Sequence, residues 1–181
     1  MKTFLIHPAL LIASVSMPAV AQHHVHSDGH HAASAEHSPY AGMQSRPIKA
    51  LSEQQINGLR SGKGMAMAMP AELNGYPGPL HVLELAPKIK LSDDQVALTK
   101  KLYSEMQAEA KAAGEKVIEA ERELDSLFAH KKASAETVAV AVSRAANEQG
   151  KLREIHLRYH LRMIDALTPE QIASYNKLRG Y

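Results

Sequence analysis

Two histidines lie four residues apart in the segment IHLRYHL, at His156 and His160. If this segment is helical, both imidazoles lie on one face on adjacent turns and form a two-nitrogen clamp for a transition metal. No glutamate directly follows His156, so the pair is not a zinc-protease signature. His81 and Glu84, three residues apart in an earlier connecting segment, are the additional ligands that we expect. Two ordinary surface or interface histidines are the alternative interpretation.

A second histidine-rich stretch, HHVHSDGHH, lies near the N-terminus. Its candidate metal ligands are His23, His24, His26, His30 and His31, because histidine tracts bind Cu(II), Ni(II) and Zn(II). Cleavage of the chain after Ala21 would add a square-planar set from the free amine, two amides and the His24 imidazole. Cyclisation of Gln22 would block that amine. A solubilising tail is the alternative.

The chain contains no Cys, so a thiolate metal site is excluded. Imidazole and carboxylate ligands predict Zn(II), Ni(II), Co(II) or Cu(II) rather than Cu(I). We expect no required cofactor, only an optional Cu, Ni or Zn ion. The segment GMAMAMP also carries Met65, Met67 and Met69, whose thioethers are soft ligands for Cu(I). We favour apolar filler or a partner contact for these residues.

No pattern in the sequence supports catalysis, since it has neither a glycine-rich phosphate loop nor a nucleophile in a recognisable setting. Nucleic-acid binding is not expected either. The 21 Lys and Arg residues against 19 Asp and Glu give a net charge of only +2, and no basic run is interleaved with aromatics. The composition therefore predicts a binding protein, not an enzyme.

The first 21 residues have the pattern of a secretory signal peptide. Lys2 precedes a short apolar stretch that ends in the A-x-A site Ala19-Val20-Ala21. No other apolar segment is suited to crossing a bilayer, so stable membrane insertion is not expected. The sequence therefore predicts a periplasmic protein exported by a cleaved signal.

The remainder divides into a tail and a helical domain. Residues 22–50 are rich in His, Ser, Ala, Gly and Pro, and we expect them to be disordered. Residues 51–181 form the predicted all-α domain, which is a long antiparallel helical hairpin with short flanking helices. Its predicted parts are a short helix over 51–67, a break at Pro70–Leu80, one or two helical turns before Pro87, long helices over 92–130 and 135–166, and a last helix over 169–178.

Charge supports the pairing of the two long helices. The first is acidic, and Arg144, Lys151 and Arg158 recur every seven residues on the second, with Arg162 extending the stripe. Folded back at Ala129–Ser134, the helices would place opposite charges side by side. Two independently solvated faces are an equally acceptable interpretation.

A pentapeptide recurs three times, as LSEQQ, LSDDQ and LTPEQ. A hydroxyl residue followed three positions later by Gln is a helix-starting capping box, and the preceding Leu suits a hydrophobic staple. Each copy therefore predicts the start of a helix. The residues of the second and third copies are Leu91, Ser92, Gln95, Leu167, Thr168 and Gln171.

On these motifs the chain resembles the Spy/CpxP family of periplasmic proteins, from about Leu80 to the C-terminus. The resemblance implies a long bent hairpin that forms a homodimeric cradle. It also implies an ATP-independent chaperone or stress-response modulator acting on unfolded or envelope proteins, with Arg144, Lys151, Arg158 and Arg162 as candidate client contacts. Related branches are heavy-metal sensors, so a periplasmic metal sensor or buffer is the second implied function. The His-rich tail and the segment GMAMAMPAELNGYPGP depart from the family pattern.

Overall fold

In the computed structural model, which describes residues 38–181, every regular element is helical. After a short 3-10 turn at Met43–Ser45, the helices are α1 (Glu53–Arg60), α2 (Met69–Glu72), α3 (Pro79–Glu84), α4 (Asp93–Ala129), α5 (Ala135–Ala166) and α6 (Pro169–Arg179). The all-α prediction is confirmed. The predicted signal peptide and the five tail histidines lie outside the described residues.

Helices α4 and α5 form the predicted antiparallel hairpin. Their ends lie within one residue of the predicted ends, and α4 contains 37 residues, which gives a length of about 55 Å. The reversal between them is short, and Lys131 takes a left-handed conformation there with φ of 58°. The hairpin is the scaffold on which the shorter helices pack.

Ion pairs between the long helices follow the charge pattern of the sequence. The pairs are Arg144–Glu123, Arg158–Glu109 and Arg162–Glu105. Lys151 pairs instead with Glu148 on its own helix. These side chains are about half exposed, so each pair contributes at most about 1 kcal/mol, and together they favour one register of the hairpin.

The three pentapeptides begin α1, α4 and α6 as capping boxes. In each, the hydroxyl accepts from the backbone N–H of the Gln, and the Gln side chain accepts from the backbone N–H of the hydroxyl residue. A fourth box, Ser134 with Thr137, begins α5 and was not predicted. Its signal is weaker because Thr replaces the usual Gln or Glu at the third position.

The second and third motifs are joined to each other through their glutamines. Gln95 Nε2 donates to Gln171 Oε1 at 2.8 Å, and Gln171 Nε2 donates to Gln95 Oε1 at 2.9 Å. The remaining amide hydrogens go to the backbone oxygens of Ala166 and Lys90. Both primary amides are thus fully used, and they tie the start of α4 to the junction of α5 and α6.

Two apolar clusters stabilise the hairpin, one near its closed end and one around its middle. The first, here the terminal cluster, contains Val82, Ile89, Leu102, Met106, Tyr159, Met163, Leu167 and Tyr175. The second, the middle cluster, contains Ile48, Leu59, Ala110, Ala113, Val117, Ile118 and Leu152. Gly114 allows α1 to approach closely, because a Cβ there would lie 2.4 Å from the Leu59 carbonyl oxygen.

The packed domain begins earlier than the predicted boundary at Leu51. Ile48 is buried in the middle cluster, and the backbone N–H of Lys49 donates to Asp125. The first helix also ends at Arg60, before the expected Met67, because Gly62 turns the chain with φ of 67°. Composition alone revealed neither the packing of Ile48 and Lys49 nor the turn at Gly62.

In the far part of the hairpin, residues 121–144, none of the residues is buried, and the N-terminal segment contacts this part through Lys49 and Asp125. We call this part the arm. Within residues 38–181, no helix is both long enough and apolar enough to span a membrane.

Because Gln95 is paired with Gln171, replacing Gln95 by Ala should reduce the free energy of unfolding more than the same substitution at Gln55. Gln95→Ala removes the side-chain half of a capping box and three interhelical hydrogen bonds, two with Gln171 and one to Ala166 O, and we expect a loss of about 2–3 kcal/mol in the free energy of unfolding. Gln55→Ala is the matched control, because Gln55 makes the same capping box and, within residues 38–181, has no side-chain hydrogen bond to another helix. It should cost about 1 kcal/mol.

Urea unfolding measures the free energy of unfolding of each variant. The set comprises Gln55→Ala, Gln95→Ala, Gln171→Ala and the Gln95→Ala plus Gln171→Ala double variant. The double-mutant cycle should return a coupling of about 0.5–3 kcal/mol. Equal costs at Gln55 and Gln95, with additive effects at Gln95 and Gln171, would show that the amide pair contributes nothing beyond capping.

Candidate functional site

A cavity of about 600 Å³ lies between α5 and the segment that connects α1 to α3. The side chains on its wall with ligand chemistry are Met65, Met69, Met106, His81, His156, His160 and Glu72. This combines the predicted histidine pair with residues that sequence reasoning treated separately.

The connecting segment, residues 61–78, which we call the strap, closes the cavity from outside. Left-handed backbone occurs at Met65 (φ 40°) and Ala66 (φ 63°), a conformation that costs a residue with a side chain about 1–2 kcal/mol. A hydrogen bond from Met67 N to Gly64 O at 2.7 Å holds this turn. The packing of the strap on α5 therefore offsets local strain, and it places Met65 and Met69 at the cavity.

His156 is the most enclosed polar group of the site, with only 3% of the residue exposed. Among residues 38–181, its buried Nε2 has no hydrogen-bond partner. A Cβ at Gly64 would lie 3.8 Å from its Nδ1, so the glycine backbone of the strap covers this ring. Burial, and then the nearby His160, lowers the pKa of His156 below its ordinary value. The imidazole is therefore held neutral, as metal ligation requires.

His160 has a defined tautomer. Its Nδ1 lies 2.7 Å from the carbonyl oxygen of Tyr76. Because a carbonyl can only accept, the proton lies on Nδ1, and Nε2 of the neutral ring carries the lone pair. A Cβ at Gly78 would lie 2.9 Å from that Nε2. Glycine at this position thus makes room for the edge of the ring that can act as a ligand.

Glu72 supplies the carboxylate of the site. Its Oε1 accepts from the Tyr175 hydroxyl, from Arg179 Nε at 3.2 Å and from the Tyr181 hydroxyl at 3.4 Å. Its Oε2 is buried, lies 3.8 Å from His160 Nδ1 and has no hydrogen-bond partner in the described part of the chain. Burial and the bond to Glu72 raise the pKa of Tyr175. Glu72 is therefore fixed in place, with one oxygen uncommitted.

The structure brings only part of the predicted ligand set together. His156 and His160 share the cavity, whereas His81 lies at its edge and hydrogen-bonds the exposed Glu84 at 2.9 Å. Across residues 38–181, no three His, Asp or Glu side chains are close enough to form a metal site by themselves. A metal in this cavity would thus need ligands of another type.

The predicted client contacts lie along the hairpin, away from the cavity. Arg144, Arg158 and Arg162 face α4 in their ion pairs, and Arg158 and Arg162 also lie over the Tyr159 ring. Lys151 is paired on α5. These four side chains thus already have intramolecular partners.

Glu72 and Met106 are the site residues that sequence reasoning missed. Met106 lies in the terminal cluster like an ordinary core residue of α4, and Glu72 lies in a segment with no helical or strand period. Its partners Tyr175 and Arg179 are 103 and 107 positions away. The concentration of Gly and Pro in GMAMAMPAELNGYPGP was the available signal, because it marks unusual backbone without naming its contacts.

The lowered pKa of His156 predicts a pH-dependent stability. The unfolded chain binds a proton near the ordinary value of 6.5, whereas the folded chain does not, so stability falls as pH decreases below about 6.5. His156→Gln should flatten this slope, because Gln does not titrate. His130→Gln, at the exposed hairpin turn, is the matched control and should retain the wild-type slope. Urea unfolding between pH 5 and 8 measures it, and an unchanged slope in His156→Gln would contradict the assignment.

Comparison with known proteins identifies a family but no individual relative. A family model described as LTXXQ motif family protein matches residues 80–179. No curated protein and no solved structure matches the chain. The matched region begins in α3 and includes both glutamine-paired motifs, whereas the whole strap precedes it.

Proposed function

Because the chain belongs to the LTXXQ motif family, the Spy/CpxP-type family, we propose that it is a periplasmic binding protein that holds unfolded or envelope proteins without ATP. The family match supports a small extracytoplasmic helical protein in general. The client-holding activity rests on the surface of the arm.

The observation that carries this proposal is a groove of about 370 Å³ on the arm. Its wall combines apolar Leu127, Val140 and Ala141 with charged Glu123, Glu136 and Arg144. Val140 is 71% exposed, and the nearby Phe128 is 55% exposed. A shallow groove of mixed character suits weak contacts with many unfolded chains, because neither shape nor one charge sign selects a sequence.

A homodimer is part of the same proposal. Leu98 and Leu161 are exposed on the long helices, and two helices alone leave these apolar side chains in contact with water. Pairing of two hairpins would cover part of this surface and would join two arms into one larger cradle.

We expect the protein to suppress aggregation of a chemically denatured client at several-fold molar excess without ATP. Leu127→Ser plus Val140→Ser removes apolar surface from the groove and should weaken suppression several-fold. Leu178→Ser, which removes an exposed leucine from α6, is the matched control and should retain wild-type suppression. Light scattering measures the activity, and sedimentation of the same samples gives the oligomeric state, expected to be a dimer.

Circular dichroism would verify that all variants keep their helical content. If the wild-type protein leaves client aggregation unchanged, the client-holding proposal is wrong. If both substitutions act equally, the groove is not the binding surface.

A second candidate function, metal sensing or buffering in the periplasm, is favoured by the cavity. Two neutral imidazoles on adjacent turns of α5 need little ordering to bind one ion, so the entropy cost of assembling them is already met by folding. The proposed ligands are His156 and His160, and Glu72, rather than the expected Glu84, is the carboxylate on the same cavity wall.

Titration of the full mature chain with Zn(II), Ni(II) and Cu(II) tests this candidate. His156→Ala plus His160→Ala should remove one binding event, whereas His130→Ala should leave stoichiometry unchanged. Metal sites in the tail are present in the wild type and in both variants. The difference between their isotherms therefore measures binding in the cavity. Binding should weaken as pH falls below about 6.5, because imidazole must be neutral to ligate. Identical isotherms for all three proteins would exclude the histidine pair as a metal site.

A further inference from the structure

We propose that the cavity is a site for cuprous copper, in which thioether sulfurs from the strap and α4 join the imidazoles of α5. This inference rests on the candidate metal-binding function and specifies its metal. It reverses the expectation from the sequence that divalent ions are preferred.

The methionines of the cavity converge from two directions. Met65 and Met69 reach it from the strap, and Met106 reaches it from α4. Met67, between the first two, packs instead against the middle cluster. The three methionines of GMAMAMP thus have different surroundings. Met65 and Met69 line the cavity, whereas Met67 packs in the apolar core.

Packing alone does not account for the two strap methionines. Met65 is 41% exposed and Met69 is 51% exposed, whereas a methionine that fills an apolar core is enclosed, as Met163 is at 0%. The Met65 sulfur also occupies the space beside Gly58, where a Cβ would lie 2.4 Å from it. A strained turn and a glycine therefore together position a half-exposed methionine on the cavity wall that also carries the two buried imidazoles.

The histidines have the supporting contacts of metal ligands. A ligating imidazole characteristically donates its second ring N–H to a backbone carbonyl or carboxylate, which fixes the ring and the tautomer. His160 does so through Nδ1 to Tyr76 O at 2.7 Å. His156 contributes a buried Nε2 that has no hydrogen-bond partner within residues 38–181. The lone pair of His160 Nε2 and the unpartnered His156 Nε2 are therefore the nitrogen positions that an ion could use.

Charge favours a monovalent ion. The cost of moving an ion from water into a poorly polar cavity rises with the square of its charge, so a divalent ion requires more compensation than a monovalent one. Among residues 38–181, Glu72 is the only carboxylate on the cavity wall, and Arg179 already pairs with it. Neutral imidazoles and thioethers supply no countercharge, but thioethers are soft ligands that select Cu(I). The donor set and the electrostatics thus lead to the same ion.

Anaerobic competition between the full mature chain and a chromophoric cuprous chelator tests the proposal. Wild-type protein should withdraw one Cu(I) per chain from the chelator. Met65→Leu plus Met69→Leu should lower the affinity roughly 10- to 100-fold, as is typical when the surroundings of a metal site are altered. Met67→Leu is the matched control and should retain wild-type affinity. Leu preserves the volume of Met, so folding should be retained, and circular dichroism would check it.

X-ray absorption at the copper edge provides a reading independent of affinity. Copper-loaded wild type and Met67→Leu should show sulfur neighbours, which should decrease or disappear in the Met65→Leu plus Met69→Leu protein. Wild-type affinity in that double variant, or nitrogen and oxygen neighbours alone in the copper-loaded wild type, would overturn the sulfur site. If Zn(II) binding still depended on His156 and His160, the divalent-metal candidate would survive this result. If neither Cu(I) binding nor Zn(II) binding depended on the two histidines, the cuprous site and the divalent-metal site would both be wrong.

Discussion

The reciprocal amide pair of Gln95 and Gln171 is the constraint on which the rest of the structure depends. A side chain that caps its own helix also hydrogen-bonds the cap of another helix, so local and long-range order form together. The pair fixes the start of α4 beside the end of α5, which closes the hairpin at the end opposite its turn. The terminal cluster then packs between these elements. In this chain the family's leucine-hydroxyl-glutamine motif therefore makes a tertiary contact as well as a helix start.

The hairpin divides its length between two kinds of stabilisation. Near the closed end, α1, α3 and the strap add a third layer and bury apolar side chains. Toward the turn, ion pairs such as Arg144–Glu123 stabilise the arm, in which no residue is buried. Exposed ion pairs stabilise weakly, whereas buried apolar surface stabilises strongly. The arm should consequently be the part that opens most easily, which suits a surface that adapts to variable protein partners.

The strap shows how a strained segment can be retained. Its left-handed turn at Met65 is unfavourable on its own, but Gly64 and Gly78 let the strap approach the α5 imidazoles closely, and Gly58 of α1 makes room for the Met65 side chain. Such strain persists where the surroundings determine the conformation, and it is often found at binding sites. The proposed functions are thereby separated in space, with protein contacts on the arm and ion binding near the closed end.

The sequence by itself determined the helices, because their signals act over three or four residues. The capping boxes located the starts of α1, α4 and α6, the apolar period gave their length, and the seven-residue spacing of Arg144, Lys151 and Arg158 anticipated the pairing of α4 with α5. The sequence also singled out His156 and His160. Only the tertiary structure decided their surroundings. The contacts from Tyr76 to His160 and from Glu72 to Tyr175 span 84 and 103 positions and arise from an aperiodic strap. No local propensity encodes such contacts, because they exist only when packing brings distant backbone and side chains together.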